Sequence, residues 1–320
     1  MSAGYPEEDA ARDRWILAWR PPRNVLDPRR AYAAHVEPEV SEAGEPVDVA
    51  TIFLTNRECP WRCLMCDLWK NTLDETVPLG AIAGQIRAAL AALPPARHVK
   101  LYNAGSFFDP HAIPPEDHAS IAVAVRPFEL VVVESHPSLV GEACLRFRDR
   151  TGGRLEVAMG LETVHPDVLP RLNKRMTLER FAEAAAFLRE AEIALRVFVL
   201  AGLPFLGEDE GREATRASIA WAFDHGASVV SVIPTRSGNG ALDALAETGE
   251  FAEPSLEVLE DAVAFGLDLR RGRVFADLWD LGRFRRCADC FDLRAARLSA
   301  MNLRQTVLPK TPCRACEGRS

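Results

Sequence analysis

From residue 47 onward, strand-like and helix-like stretches alternate, and this rhythm limits the fold more than any other feature of the chain. VDVATIFLT (47–55), HVKLYNA (98–104), ELVVVES (129–135), LEVAMGLET (155–163), LRVFVLAGLP (195–204) and ASVVSVIPT (227–235) read as strands. Between them, PLGAIAGQIRAALAAL (78–93), DHASIAVAVRPF (117–128), TLERFAEAAAFLREAEI (177–193) and ATRASIAWAFDHG (214–226) read as helices, and EPSLEVLEDAVAFGLDL (253–269) follows as another. The first stops at Pro94-Pro95, the third carries Thr177 as N-cap, and Gly226 closes the fourth. ELVVVES is almost purely apolar, as a strand covered on both faces must be. About six β/α units therefore predict an α/β fold with a parallel sheet, either a partial TIM-like barrel or an open doubly wound sheet. In both, ligands bind beyond the C-terminal strand ends. That singles out Thr55 and the loop after it, Asn103 to Ser106, Glu134, Glu162, and Gly202 to Pro204.

The flanks read differently. Residues 1–46 are rich in Pro, Arg and Glu, and we expect an irregular N-terminal extension with one short helix near Arg12–Trp19. Residues 47–269 form the expected core domain, and 270–320 a tail. No apolar run reaches the roughly 18–20 residues of a membrane span, and MSAGYPEEDAARDRW lacks the basic-then-apolar order of a signal peptide. The expected location is cytoplasmic, with no membrane partner. There the eight cysteines are not expected to form disulfides; clustered cytosolic cysteines bind metal or do chemistry. Cys144, alone in SLVGEACLRF, is expected to be a buried core residue.

ECPWRCLMCDLW (58–69) places Cys59, Cys63 and Cys66 in a C-x3-C-x2-C loop directly after the first strand. Four thiolates complete an ordinary iron–sulfur cluster. Three leave one iron of a four-iron cube open, and an open metal position is where chemistry happens. A loose zinc knuckle is the bland alternative.

CPWRCLMC in this position resembles the cluster motif of the radical S-adenosylmethionine (SAM) enzymes, with Met65 where an aromatic residue is frequent. The resemblance covers roughly residues 47–240 and implies a partial (β/α)6 barrel, a [4Fe-4S] cluster on Cys59, Cys63 and Cys66, and SAM on its open iron. Where the family often has Gly-Gly-Glu for the SAM amino group, this chain has Asn103-Ala104-Gly105-Ser106-Phe107, so Asn103, Gly105 and Ser106 are the SAM-binding candidates there. Glu134 in VVVESHP matches a ribose-binding Glu of relatives resembling the oxygen-independent coproporphyrinogen dehydrogenase. GLETVHPDVLPRLNKRMT resembles the Elongator-type stretch, which implies Glu162 facing the ribose or methionine part of SAM and Lys174 pairing with its carboxylate. VLAGLPF resembles the turn that backs the adenine. KLYNAGSFFDP and FVLAGLPFLGEDE are most similar to the Elongator and archaeosine-synthase radical-SAM group, which acts on tRNA. The implied activity is reductive cleavage of SAM to a 5′-deoxyadenosyl radical that abstracts hydrogen from a substrate, RNA or a nucleoside among the candidates. A flavodoxin- or ferredoxin-type reductant is implied as partner. No catalytic acid, base or radical residue can be named from sequence.

Cys287 and Cys290 (CADC) and Cys313 and Cys316 (CRAC) form a second set, 22 residues apart, expected to bind zinc or an auxiliary iron–sulfur cluster. From Arg270 on there are 12 Lys and Arg against 5 Asp and Glu, in a chain of net charge −8. Such a tail suits an RNA contact, a lid over an anionic substrate, or simple pairing with the acidic body. Two further function classes stay open: an electron-transfer iron–sulfur protein without SAM chemistry, and a zinc-stabilised RNA-binding or scaffolding protein.

Overall fold

The computed structural model describes residues 4–152 and 154–317. Its strands are β1 (Ala33–Val40), β2 (Pro46–Leu54), β3 (Asn56–Arg57), β4 (Thr72–Leu73), β5 (His98–Asn103), β6 (Leu130–Glu134), β7 (Arg154–Glu162), β8 (Ala194–Ala201), β9 (Val229–Pro234) and β10 (Arg273–Ala276). The helices are α1 (Asp9–Trp19), α2 (Ala81–Ala92), α3 (His118–Val125), α4 (Glu142–Thr151), α5 (Val168–Arg171), α6 (Leu178–Glu190), α7 (Glu208–Asp224), α8 (Ala241–Glu247), α9 (Leu256–Asp268), α10 (Phe291–Arg304) and α11 (Arg314–Glu317). The main sheet runs β1-β2-β5-β6-β7-β8-β9-β10. All neighbours in it are parallel except β1 on β2.

Alternation along the strands sends Ile52, Leu101, Val131, Val133, Val157, Val197 and Val232 into one apolar core with the helices, and Cys144 lies in it too, fully buried. The other face is charged. Glu39 of β1 pairs with Lys100 of β5 and with Arg196 of β8, while Arg196 Nε donates to Glu156 at 2.6 Å. In sheet order β1 and β8 are separated by four strands. They meet because the sheet curls into the expected partial barrel. The opposed charges compensate one another inside it, as buried ions must.

Three expectations need correction. The stretch 33–40, read as irregular, is the antiparallel edge strand β1. Its inward positions carry His35, Glu37 and Glu39, so it lacks the apolar alternation that announces a strand. Pro38 is tolerated because an edge strand can spare an N–H. The tail contributes a seventh parallel strand, β10, only four residues long. The helix expected over 214–226 starts six residues earlier, at Glu208, with Glu208, Asp209 and Glu210 in its first turn, where the helix dipole favours acids.

Helix α10 lies against both edge strands, β1 and β10. Its side chains take over the backbone groups that β10 leaves open. Gln305, just past its C-terminal end, accepts from Val274 N at 2.8 Å and donates to Val274 O at 2.9 Å. Asn302 accepts from Ala276 N at 2.8 Å and donates to Ala276 O at 2.9 Å. An edge that would otherwise recruit another strand is thereby covered.

Candidate functional site

The cysteine loop leaves β2, is pinched by the β3–β4 ribbon, and is held from distant parts of the chain. Leu64 N donates to Leu172 O at 2.9 Å. Asn173 Nδ2 donates to Arg62 O at 2.8 Å and to Asp13 Oδ1 of α1 at 2.7 Å. Asn239 Nδ2, beyond β9, donates to Leu64 O at 2.7 Å. At the loop entry Glu58 pairs with Arg20 at 2.7 Å, with Arg62 at 3.0 Å and with Arg23. A cleft of about 390 Å³ opens beside Cys59 and Trp61, between Arg23, Arg57, Asp109 and His111.

Burial pushes all three loop thiols upward, Cys66 to about 12, Cys63 well above its ordinary range and Cys59 in the same direction. Desolvated thiols stay neutral unless a cation stabilises the thiolate, which is what a metal cluster does. Gly105 touches this loop directly. It has φ +112°, and a Cβ there would lie under 3.0 Å from Cys59 Cβ and 3.5 Å from its Sγ. Only glycine lets the backbone after β5 come this close.

The strand-end candidates divide. Asn103 is buried, and both its side-chain atoms lack a protein partner, while its backbone N–H donates to Glu134 Oε2 at 2.9 Å. Ser106 is committed elsewhere, its Oγ 3.1 Å from Ser135 Oγ and accepting from Phe108 N at 3.3 Å. Glu162 (φ +65°) and Lys174 form a buried pair, Nζ to Oε1 at 2.5 Å, and Lys174 Nζ also donates to Gly160 O at 2.5 Å. A Cβ at Gly160 would fall under 3.0 Å from both Glu162 Oε1 and Lys174 Nζ, so this glycine is the floor of the pair. Burial raises Glu134 to about 8; the Asn103 N–H and Lys174 oppose that rise, and Glu162 adds to it. Lys174 and Glu162 also act electrostatically on Cys63, so strand ends and loop share one site.

Five contributors were not visible in the sequence: Asp13, Trp61 with its stacking partner His136, Asn173 and Asn239. Trp61 stacks on His136 at 3.8 Å and 11°. Burial and the nearby Lys174 charge lower His136 to about 3, so its ring is neutral. Asn173 and Arg175 flank Lys174 with φ +56° and +58°. Asparagine is a common left-handed residue, which is the one local hint the sequence held. Gly202, in the Gly-Leu-Pro turn, has φ +80°, and a Cβ there would meet Pro254 at 2.7 Å.

In the tail, Cys287 and Cys313 Sγ lie 3.8 Å apart, as do Cys290 and Cys316, and all four sulfurs lie within 4.8 Å of one another. The tail arginines mostly pair with the acidic body. Arg283 meets Glu253 at 2.7 Å, Arg297 meets Glu260 at 3.2 Å, Arg271 meets Asp224 at 2.6 Å, and Arg294 pairs with Glu260. Among the described residues, no helix is long and apolar enough to cross a membrane.

No protein-family model matches the chain. Archaeosine synthase subunit beta of Methanosarcina acetivorans is 28% identical over 241 residues, which are 69% of this chain and 68% of that one. Matches to the curated relatives span between 39% and 68% of their lengths. Methylornithine synthase superposes over 94% of this chain and 78% of its own, with a TM-score of 0.55 at 14% identity. A radical SAM methyltransferase from Sphaerobacter thermophilus covers 76% of each chain, with a TM-score of 0.50 at 14% identity. The curled sheet, with the three-cysteine loop at its mouth, is a fold this chain shares with methylornithine synthase and that radical SAM methyltransferase. In sequence the chain is similar to archaeosine synthase subunit beta.

Proposed function

We propose that Cys59, Cys63 and Cys66 hold a [4Fe-4S] cluster and that the chain uses it to cleave SAM and modify RNA or a nucleoside. The observation that carries this reading is a convergence at one sheet end. Three desolvated thiols lie in the loop that Gly105 touches at Cys59, and Gly105 follows the partnerless Asn103 amide by two residues. When bound, cluster and SAM supply reductive cleavage to a 5′-deoxyadenosyl radical, which abstracts hydrogen from the substrate; the protein positions and shields them.

The chain's own residues suit that task. Asn103 Oδ1 would accept from the SAM ammonium, and the Glu162–Lys174 pair would offer one charge of each sign to a zwitterion, Lys174 to its carboxylate. Glu134, held near 8, keeps its proton at neutral pH and can both donate to and accept from a ribose hydroxyl. The Trp61–His136 stack walls the site from water. Deeper in, Phe53, Tyr102 and Phe198 remain partly exposed on strands whose adjacent residues are buried, and Tyr32 packs on Phe53, so they line the space left for substrate. The core 47–269 carries the chemistry, and the described parts of the two flanking segments, 4–46 and 270–317, brace it. The RNA context is supported by the relatedness to archaeosine synthase subunit beta. Location in the cytoplasm and a flavodoxin- or ferredoxin-type electron donor complete the reading.

The test is iron, sulfide and 5′-deoxyadenosine on anaerobically purified wild type and a Cys59/Cys63/Cys66→Ala variant, with SAM and dithionite. About four irons and four sulfides at this site, with iron and deoxyadenosine both lost in the variant, are expected. Deoxyadenosine formation that survives the triple substitution would overturn the assignment.

A further inference from the structure

We propose that Cys287, Cys290, Cys313 and Cys316 hold a single zinc ion, and that this ion fastens the helix covering the open edge of the sheet. The spacing of the sulfurs decides between one ion and a cluster, and four thiolates closed around one ion are the ligand set of structural zinc. Four thiolates placed about 2.3 Å from one tetrahedral ion stand about 3.8 Å from each other. Two Sγ pairs are at 3.8 Å, and no pair among the four exceeds 4.8 Å. An iron–sulfur cluster distributes its thiolates over two or four irons bridged by sulfide, which spreads at least some of them well apart. The tail sulfurs are gathered about one point instead.

The surroundings fit a closed, four-thiolate site. The backbone N–H groups of Asp289 and Cys290 are directed at Cys287 sulfur. Arg294 reaches Cys290 sulfur while it also pairs with Glu260 of α9. Four thiolates around Zn²⁺ leave two negative charges, and these donors, together with the start of α10, face them. All four coordination positions are filled from the chain, which is the arrangement of a structural rather than a catalytic ion.

The position of the ion defines its work. Cys287 and Cys290 precede α10, and Cys313 and Cys316 follow it, so the ion ties both ends of a hairpin whose first limb is that helix. The returning limb is held otherwise by Leu308, which packs against the edge of the core, and by Arg297, which donates to Leu308 O at 2.7 Å and Pro309 O at 2.8 Å. Val307 is exposed and buries little surface to hold this limb. A bound ion supplies the missing ordering free energy. Through Asn302 and Gln305 the same helix covers β10, so zinc occupancy and the state of the sheet edge are linked.

The test uses the full chain purified anaerobically, wild type and Cys313→Ala/Cys316→Ala, with zinc and iron counted and zinc-edge X-ray absorption recorded on the wild type. We expect about one zinc per chain in a shell of four sulfurs at about 2.3 Å. In the variant, zinc falls to near zero, iron is unchanged and the thermal midpoint drops. If the variant does not fold, the wild-type absorption spectrum decides alone. Iron that falls with the tail substitution, a zinc shell containing nitrogen or oxygen, or a metal-free wild-type tail would each overturn the proposal. Loss of iron from the Cys59 loop with the zinc shell intact would sink the cluster assignment and support this one.

Discussion

Replacing Gly105 by Ala changes no proposed iron ligand, yet it should loosen the hold of the Cys59 loop on iron. Two costs arise. The residue sits at φ +112°, where an L side chain is strained by about 1–2 kcal/mol. Its new Cβ also falls under 3.0 Å from Cys59 Cβ, and overpacking of this kind costs about 1–3 kcal/mol. The contact can be relieved only by moving Cys59 or the strand end behind Gly105. Gly44 separates the two costs, because it has φ +81° and nothing within 4 Å of its would-be Cβ. Gly44→Ala should lower the thermal midpoint through strain alone and keep its iron. Gly105→Ala should lose iron roughly ten- to a hundred-fold more readily to a chelator, the equivalent of about 1–3 kcal/mol. The assay is iron per chain against a ferrous chelator, with the midpoint recorded alongside. Equal iron retention in the two variants would refute the claim that Gly105 sets the position of Cys59.

Further outcomes follow from the same site. Lys174→Met strands the buried Glu162 carboxylate and should cost about 3–5 kcal/mol; Glu162→Gln added to it should restore part of the midpoint, and a midpoint no higher in the double variant would argue against the pair. Glu134 has a folded pKa near 8, above its ordinary 4.5. Its protonation therefore supports the fold fully below about 4.5, and that support is lost as pH rises through 8. Glu134→Gln should thus gain midpoint on wild type across that window, measured by a thermal scan at each pH. Gln305→Ala leaves Val274 N and O without partners, at about 1–3 kcal/mol. Its check is a midpoint drop accompanied by concentration-dependent association in light scattering.

The parallel strands were legible because each outward face is a run of Val, Ile and Leu that the helices cover. The cysteine loop was legible because ligand chemistry sits in adjacent residues. β1 was hidden because its inward side chains neutralise Lys100 and Arg196 instead of joining an apolar core. β10 was hidden by its length and by partners that are side chains, Asn302 and Gln305, whose role no local pattern marks. The roles of Asp13, Asn173 and Asn239 depend on contacts more than 100 residues away. At the strand ends, the resemblance offered Asn103, Gly105 and Ser106; Ser106 is hydrogen-bonded to Ser135 while both side-chain atoms of Asn103 lack a protein partner, which is why the proposal rests on Asn103.

A helix that imitates a neighbouring strand also sets a timetable. Residues 291–305 leave the ribosome after every strand of the sheet has been made, and the last two cysteines follow later still. Until then the growing chain carries an uncovered β10 beside a finished sheet. A nascent chain stalled in this interval has a sticky margin, and on the proposed zinc site the supply of that ion at the moment of release would set how long it lasts.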